Sequence, residues 1–282
     1  LEPSPRRIYT GSIGFLAPDR TAQFNVAIRT VLIDSETGTA EYGLGGGIVW
    51  DSDSAAEYEE CMVKAQILKR EAVEFSLLET MLWTPGEGYF LLEYHLHRLE
   101  SSAEYFDYNA DMDAVENQLK QIAESLSGAA MPQKIRLLVS RDGDIKCESA
   151  PLNDPGTQDE VRIKLSAESV DSQNIYLYHK TTHRDIYTAA KSSCTDCDDV
   201  VLFNERGEIT ESCIANVILD LNGERVTPPV ESGLLAGTYR GWMLDSGSVK
   251  EKVITVEEFK ATRGIYLANS VRKLRKAVLI NE

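Results

Sequence analysis

Lys180, in HKTTHRDIYTAA, is followed by Glu211 in EITESCIANVIL, by Gly237 and Thr238 in GTYR, and by Asn269 and Ser270 in ANSVR. A lysine that can lose its proton forms imines with aldehydes and then carries protons. A carboxylate can keep a ring nitrogen protonated, so that the ring draws electrons from a carbanion. Small-residue turns offer amides to a phosphate, and a helix start favours the anion. TYRGWMLDS reads as such a helix, with Gly237 and Thr238 at its beginning. Taken singly, each residue has a bland explanation: a surface lysine, a strand-end glutamate, a loop. Taken in order, they supply the parts that hold a cofactor by an aldehyde, a ring nitrogen and a phosphate.

A second group lies near the start of the chain. Asp51–Ser54 supplies N-cap candidates for a helix from about 55 to 72. On it Glu57, Glu60 and Lys64 fall at i, i+3 and i+7, hence on one face. Two carboxylates and an ammonium there suit Mg²⁺ and a carboxylated substrate; a solvated acidic face explains the same spacing. Gly43, Gly45, Gly46 and Gly47 do not complete a nucleotide motif, because GxGxxG needs glycine where Ile48 stands and no GK[ST] follows. His95 and His97, in HLHRLESSAEYF, point apart on a helix and do not suit a metal. Cys194 and Cys197 form a lone CxxC without a second pair, and read as loop cysteines. His183 and Arg184 follow Lys180 closely and are candidates to face a substrate.

The elements that must position these residues mix strands and helices. Residues 8–15 and 23–33 read as strands, and 39–50 continues as strand around the glycines. EFSLLETMLW reads as a strand, TPGEG as a turn and YFLLEY as another strand. Helices are expected at about 94–106 and 112–127, followed by the hairpin KIRLLVS–RDGD–IKCES. The turn-rich stretch 151–160 reads as an interdomain crossing. Thr255 and Glu258 have the spacing of a capping box.

Composition narrows the partners. The net charge of −16, from 29 basic and 45 acidic residues, argues against nucleic acid or an anionic membrane. No apolar run approaches the roughly 18 residues of a membrane span, and no signal peptide opens the sequence. Five scattered cysteines argue against a disulfide framework and for a cytoplasmic setting. Leu1 rather than Met opens the chain, which reads as part of something longer.

Over roughly residues 74–282, the ordered motifs resemble the class IV pyridoxal phosphate enzymes: branched-chain and D-amino acid aminotransferases and aminodeoxychorismate lyase. The resemblance implies pyridoxal 5′-phosphate as cofactor, with Lys180 as covalent anchor and catalytic base. Glu211 would pair with the ring nitrogen, Asn216 follows at the family's position, and Arg98, Gly237, Thr238, Asn269 and Ser270 would surround the phosphate. A homodimer is implied as well.

RRIYTGSIGF, FNVAIRT, AEYGLGGGIVWDS and EYEECMVKA resemble the C-terminal end of chorismate-utilising enzymes, closest to component I of aminodeoxychorismate synthase and of anthranilate synthase. Tyr9 and Arg29 would then meet substrate, and Gly45, Gly46 and Gly47 would admit a carboxylate. Glu57 and Glu60 would bind Mg²⁺, and Lys64 would pair with a chorismate carboxylate. That family's catalytic domain is several times longer. Chorismate amination, with a glutamine amidotransferase subunit as partner, is therefore expected only of a longer parent.

The expected fold is mixed α/β, or α+β. A truncated chorismate-binding tail (1–72) precedes a small domain (73–155) and a large pyridoxal phosphate-binding domain (156–282), with the cofactor in the cleft between the last two. The two resemblances together imply a 4-amino-4-deoxychorismate lyase yielding 4-aminobenzoate and pyruvate. A class IV aminotransferase and a non-catalytic dimerisation module are the alternatives.

Overall fold

The apolar run 23–33 is not one strand, because Arg29 takes a φ of 52°, in the left-handed region, and breaks it. The computed structural model describes residues 5–68, 73–152 and 160–280, and the chain divides into two units, Leu1–Ala72 and Val73–Glu282. In the first, β1 (Ser12–Leu16) pairs antiparallel with β2 (Ala22–Val26). Beyond the break, β3 (Val31–Asp34) pairs with β4 (Thr39–Tyr42). The strand expected over 39–50 stops at Tyr42, since Tyr9 packs flat on the glycines that follow. A Cβ on Gly43 would lie 2.3 Å from the Tyr9 ring. Asp53 caps α1 (Ser54–Ala65) by accepting from the Ala55 and Ala56 amides. The helix tightens into a 3-10 turn at Gln66–Leu68, and the rest of the helix expected to residue 72 lies outside the described residues. Among this unit's described hydrophobic residues, Ala27 alone is buried, while Phe15, Phe24, Ile33 and Trp50 are exposed.

The second unit begins with β5 (Leu77–Thr84) and β6 (Gly88–Tyr89). Next come α2 (Leu92–Phe106), α3 (Met112–Ser125), β7 (Gln133–Val139) and β8 (Ile145–Pro151). The antiparallel sheet runs β6-β5-β7-β8. YFLLEY is not the expected strand: pairing ends at Tyr89, Leu91 turns with φ 57°, and α2 starts at Leu92. Leu92, Leu96, Leu99 and Ala103 recur at helical spacing, and burying that stripe outweighs local strand propensity. Leu96, Leu99, Val115 and Leu119 pack on Leu77, Met81, Ile135, Leu137 and Val139, each contributing roughly 1.5–3 kcal/mol by its burial.

The remainder closes on itself. Its elements are β9 (Val161–Leu165), α4 (Asp185–Ser192), β10 (Asp199–Phe203), β11 (Ile209–Ser212), β12 (Asn216–Leu221) and β13 (Glu224–Thr227). Then follow α5 (Thr238–Asp245), β14 (Lys250–Glu251), α6 (Val256–Ala261), β15 (Ile265–Asn269) and β16 (Lys273–Leu279). The strand order is β11-β10-β9-β16-β15-β12-β13-β14, and Glu211 pairs with Asn216 to join β11 to β12, so six strands close into a barrel. Ile163, Val201, Val217, Leu219, Phe259 and Ile265 fill its core. Thr255 and Glu258 form the expected capping box of α6. Most of the turn-rich crossing at 151–160, with the boundary expected at 155, lies outside the described residues. Among the described residues no helix is long and apolar enough to cross a membrane.

Burial differs so much between the units that their amide exchange should differ too. Amides of β1–β4 are expected to exchange much faster than those of Leu77–Trp83 and Ile135–Val139. Equal protection in a hydrogen-exchange experiment would contradict this account of the first unit.

Candidate active site

Four successive residues of β5, Leu77–Thr80, gather the separated motifs. The Leu78 amide donates to the Lys180 carbonyl at 2.9 Å, and Leu77 bridges to Thr181. The Glu79 carboxylate accepts from Arg98 Nε at 2.8 Å and Nη2 at 2.6 Å, and from His95 Nδ1 at 2.6 Å. The Thr80 carbonyl accepts from Ser270 Oγ at 3.2 Å. Arg98 also donates to the Ala236 carbonyl at 3.2 Å, and His95 Nε2 lies 3.3 Å from Thr238 Oγ1. Arg98, Thr238 and Ser270 are therefore tied to β5 and its partner helix, with Gly237 between Ala236 and Thr238. A Cβ on Gly237 would stand 1.9 Å from Asn216 Oδ1, so a larger residue there would displace that side-chain amide.

Lys180 is partly buried beside this cluster. Desolvation, reinforced by Arg98, pulls its ammonium down to about 8 against the opposing pull of Glu79. At neutral pH about one molecule in ten then carries the free amine, against roughly one in three thousand for an ordinary lysine. Glu211 is buried on β11. Its Oε1 accepts from Tyr187 Oη at 2.7 Å and the Leu235 amide at 3.1 Å, while Oε2 has a longer contact of 3.5 Å with Asn216 Nδ2. Burial pushes Glu211 up to about 7, against the lowering effects of Tyr187, Leu235, Lys180 and Arg184. An acid raised and a base lowered by burial in one site are typical of a site that moves protons. Glu79 responds in the opposite sense. Burial would raise it, but Arg98 and His95 outweigh burial and hold it at about 2.

Other expected residues are placed differently. Asn269 Oδ1 accepts from the Val271 and Arg272 amides, which closes its own hairpin turn, and Nδ2 donates to the Ile214 carbonyl at 3.3 Å. Arg184 has protein partners on both sides. It stacks 4.4 Å from the Tyr187 ring and donates to the Cys213 carbonyl, which makes it a brace behind Glu211. His183 packs edge-on against Tyr176. Cys194 and Cys197 lie in a loop as expected but are joined in a disulfide, their Cα atoms 5.9 Å apart across a turn, a separation that suits one. His95 is buried and His97 exposed, on opposite sides of α2.

In the first unit Lys64 Nζ lies 2.6 Å from Glu60 and donates to the Gly45 carbonyl at 3.2 Å. Glu57 accepts from Ser52 Oγ at 2.6 Å, and its carboxylate approaches Gly46, where a Cβ would lie 3.0 Å away. Tyr9 packs against Gly45, Arg29 is near enough to act on the Lys64 charge, and Gly47 has open space where a side chain would be. Tyr9, Glu57 and Lys64 thus lie along the Gly45–Gly46 turn. Among the described residues, however, no cluster of three or more side chains suited to a metal occurs.

Three participants were not singled out from sequence: Glu79, His95 as a partner of Arg98, and Tyr187. The i, i+3 spacing of His95 and Arg98 puts both on one helix face, and a lone acid in LLETMLW marks Glu79. Tyr187 carries no comparable signal.

Glu211 and Lys180 contribute to the pH dependence of stability in protein free of ligands. Glu211 lies above its unfolded value of 4.5, so the folded chain binds the extra proton and stability falls from pH 4.5 to about 7. Lys180 lies below its unfolded value of 10.5, so stability rises from about pH 8 to 10.5. Each effect is at most about 3 kcal/mol. Urea unfolding of Glu211→Gln should show a flattened acidic limb. An unchanged limb would contradict the placement of Glu211.

Comparison with known proteins places this geometry. The amino-transferase class IV family matches residues 76–280, and the chorismate binding enzyme family matches residues 1–70. A protein of Schizosaccharomyces pombe named "Putative aminodeoxychorismate lyase" is 32% identical over 215 residues, covering 73% of this chain and 90% of its own. The "Probable aminodeoxychorismate synthase, chloroplastic" of Oryza sativa is 48% identical over 66 residues, covering 23% of this chain, and this chain spans only 7% of that protein. The crystal structure of a "Putative amino-acid aminotransferase" from Mesorhizobium loti superposes with a TM-score of 0.68 at 34% identity, over 73% of this chain and 100% of that one. The class IV match runs from β5 through the barrel and takes in Lys180, Glu211 and every residue gathered around Glu79; the chain belongs to the class IV amino-transferase family.

Proposed function

We propose that the second unit is a pyridoxal phosphate-dependent 4-amino-4-deoxychorismate lyase, releasing 4-aminobenzoate and pyruvate. One observation carries the reading. A class IV unit resembling a lyase-named protein over 90% of that protein's length shares its chain with a segment like that of an aminodeoxychorismate synthase. A synthase makes the compound that such a lyase consumes.

The class IV family uses pyridoxal phosphate, and the residues here fit it. Lys180 offers a lowered amine for the aldehyde. Glu211 Oε2, with one long contact, keeps acceptor capacity for a protonated ring nitrogen. The Arg98 guanidinium, the start of α5 at Gly237–Thr238 and the Ser270 turn supply cation, amides and hydroxyls for a phosphate. Bound there, the cofactor supplies an electron sink for charge left at the amine-bearing carbon.

The chain's own groups then do the proton work. Glu211, oriented by Tyr187 and the Leu235 amide, keeps the ring nitrogen protonated. Lys180 Nζ, as a free amine, takes the proton from C4 of the substrate. The C3–oxygen bond breaks as the ring becomes aromatic, and the same lysine returns a proton to the enolpyruvyl methylene carbon, which becomes the methyl of pyruvate. Arg98 and Thr238 keep the reacting carbon within reach of Lys180 by fixing the far end of the cofactor.

The same proposal includes a homodimer, a cytoplasmic location, and a small-domain/large-domain boundary near residue 155. In a complete chorismate-utilising domain, Glu57 and Glu60 would contribute to Mg²⁺ binding, with Lys64, Arg29, Tyr9 and Gly45–Gly47 on substrate. The 34% identity to the Mesorhizobium loti aminotransferase supports a second reading, transamination of an amino acid.

Incubation with 4-amino-4-deoxychorismate and no keto acid separates the two. The lyase gives many turnovers to 4-aminobenzoate, and Lys180→Ala lowers the rate about 10²- to 10⁴-fold. Activity seen only with an amino acid and a keto acid would overturn the lyase in favour of the aminotransferase.

A further inference from the structure

His95 is 1% exposed and sits between two partners of different kind. On one side the Glu79 carboxylate, ionised far below neutral pH, can only accept, so His95 Nδ1 carries a proton. On the other side Nε2 faces the Thr238 hydroxyl. If the ring is neutral, Nε2 accepts, and Thr238 must give its only proton to the ring and present lone pairs elsewhere. If the ring is an imidazolium, Nε2–H donates to Thr238 Oγ1, and the hydroxyl proton is free to point at an anion. A phosphate dianion offers acceptors alone, so only the second arrangement matches it.

We propose that His95, fixed by Glu79, is a positioning residue for the cofactor phosphate: it takes one proton from solvent onto Nε2 when the dianion binds, and thereby turns the Thr238 hydroxyl toward the anion. The inference rests on reading this unit as a pyridoxal phosphate enzyme. Charge balance supports it. The groups facing His95 are Glu79 from β5, Arg98 on its own helix, and Lys180 from the segment before α4. Glu79 and Arg98 cancel, so an arriving dianion leaves the pocket short of positive charge. Without it, burial holds His95 below the ordinary histidine value despite the pull of Glu79, with Arg98 and Lys180 adding to the effect. The ring therefore starts neutral, and the proton is taken up on binding. Glu79 serves both halves of the phosphate cradle: the Arg98 fork spans its two oxygens, Nε on Oε1 and Nη2 on Oε2, and His95 Nδ1 shares Oε2.

Pyridoxine 5′-phosphate tests this directly, because it carries the phosphate but no aldehyde for Lys180. The full chain, labelled with ¹⁵N-histidine, is titrated with it at about pH 8, where an ordinary histidine is neutral. The chain has four histidines, and the His95 ring is expected to change from the singly protonated to the doubly protonated signature. Pyridoxine without phosphate should leave it unchanged. Calorimetry in two buffers of different ionisation enthalpy should show wild type taking up about one proton more than His95→Gln. If that variant does not fold, the wild-type spectrum decides alone. A neutral His95 in protein saturated with pyridoxine 5′-phosphate would overturn this proposal and leave the cofactor reading standing. Failure to bind the compound at all would overturn both.

Discussion

Glu79 is a carboxylate with 1% exposure in an otherwise apolar strand, and the site is arranged around the need to compensate it. Desolvating such a group costs several kcal/mol unless charge and hydrogen bonds offset it. Arg98 does so through two nitrogens and His95 through a third. Both come from α2, which locks that helix on β5. Arg98 reaches on to Ala236 and His95 to Thr238, which ties the same carboxylate to the start of α5. The backbone on either side of Glu79 holds Lys180 and Ser270. A single buried charge thus fixes the spacing between the small sheet and the barrel.

That spacing is what gives Lys180 and Glu211 their chemistry. Neither has an unusual side chain for its type, yet one base is lowered and one acid is raised by being buried in the same place. Glu211 is braced by Tyr187, itself pushed well above the usual phenol range by burial and by Glu211. Arg184 lies over that tyrosine. The barrel closure at Glu211–Asn216 keeps the carboxylate at a strand end, where the Leu234–Thr238 loop can fold across it. Fold and proton chemistry are therefore coupled through very few contacts.

The sequence made the linear order of the motifs legible, because each of Lys180, Glu211, Gly237 and Ser270 sits in a short stretch whose chemistry is local. It also revealed the α6 capping box and the hairpin of β7 and β8, which depend on neighbours. What it hid depends on distant partners. YFLLEY is apolar enough for a strand, and only the packing of Leu96 and Leu99 on β5 makes it the start of a helix. The run 23–33 breaks at Arg29 through a backbone turn that no propensity marks. Arg98 was legible as a cation, but its partner Glu79 lies 19 residues away and reads locally as a strand residue. Asn269 and Ser270 read as a small polar turn, and the bonds from the Val271 and Arg272 amides to the Asn269 side chain, which composition alone does not specify, are what close it.

On the proposed function, this buried charge arrangement holds an aldehyde cofactor on Lys180. Borohydride reduction of protein loaded with pyridoxal 5′-phosphate, followed by digestion and mass spectrometry of the peptides, tests it most directly. The reduced cofactor is expected on the peptide containing Lys180, and Lys180→Ala is expected to abolish the label. Recovery on a different lysine, or equal labelling of Lys180→Ala, would contradict it.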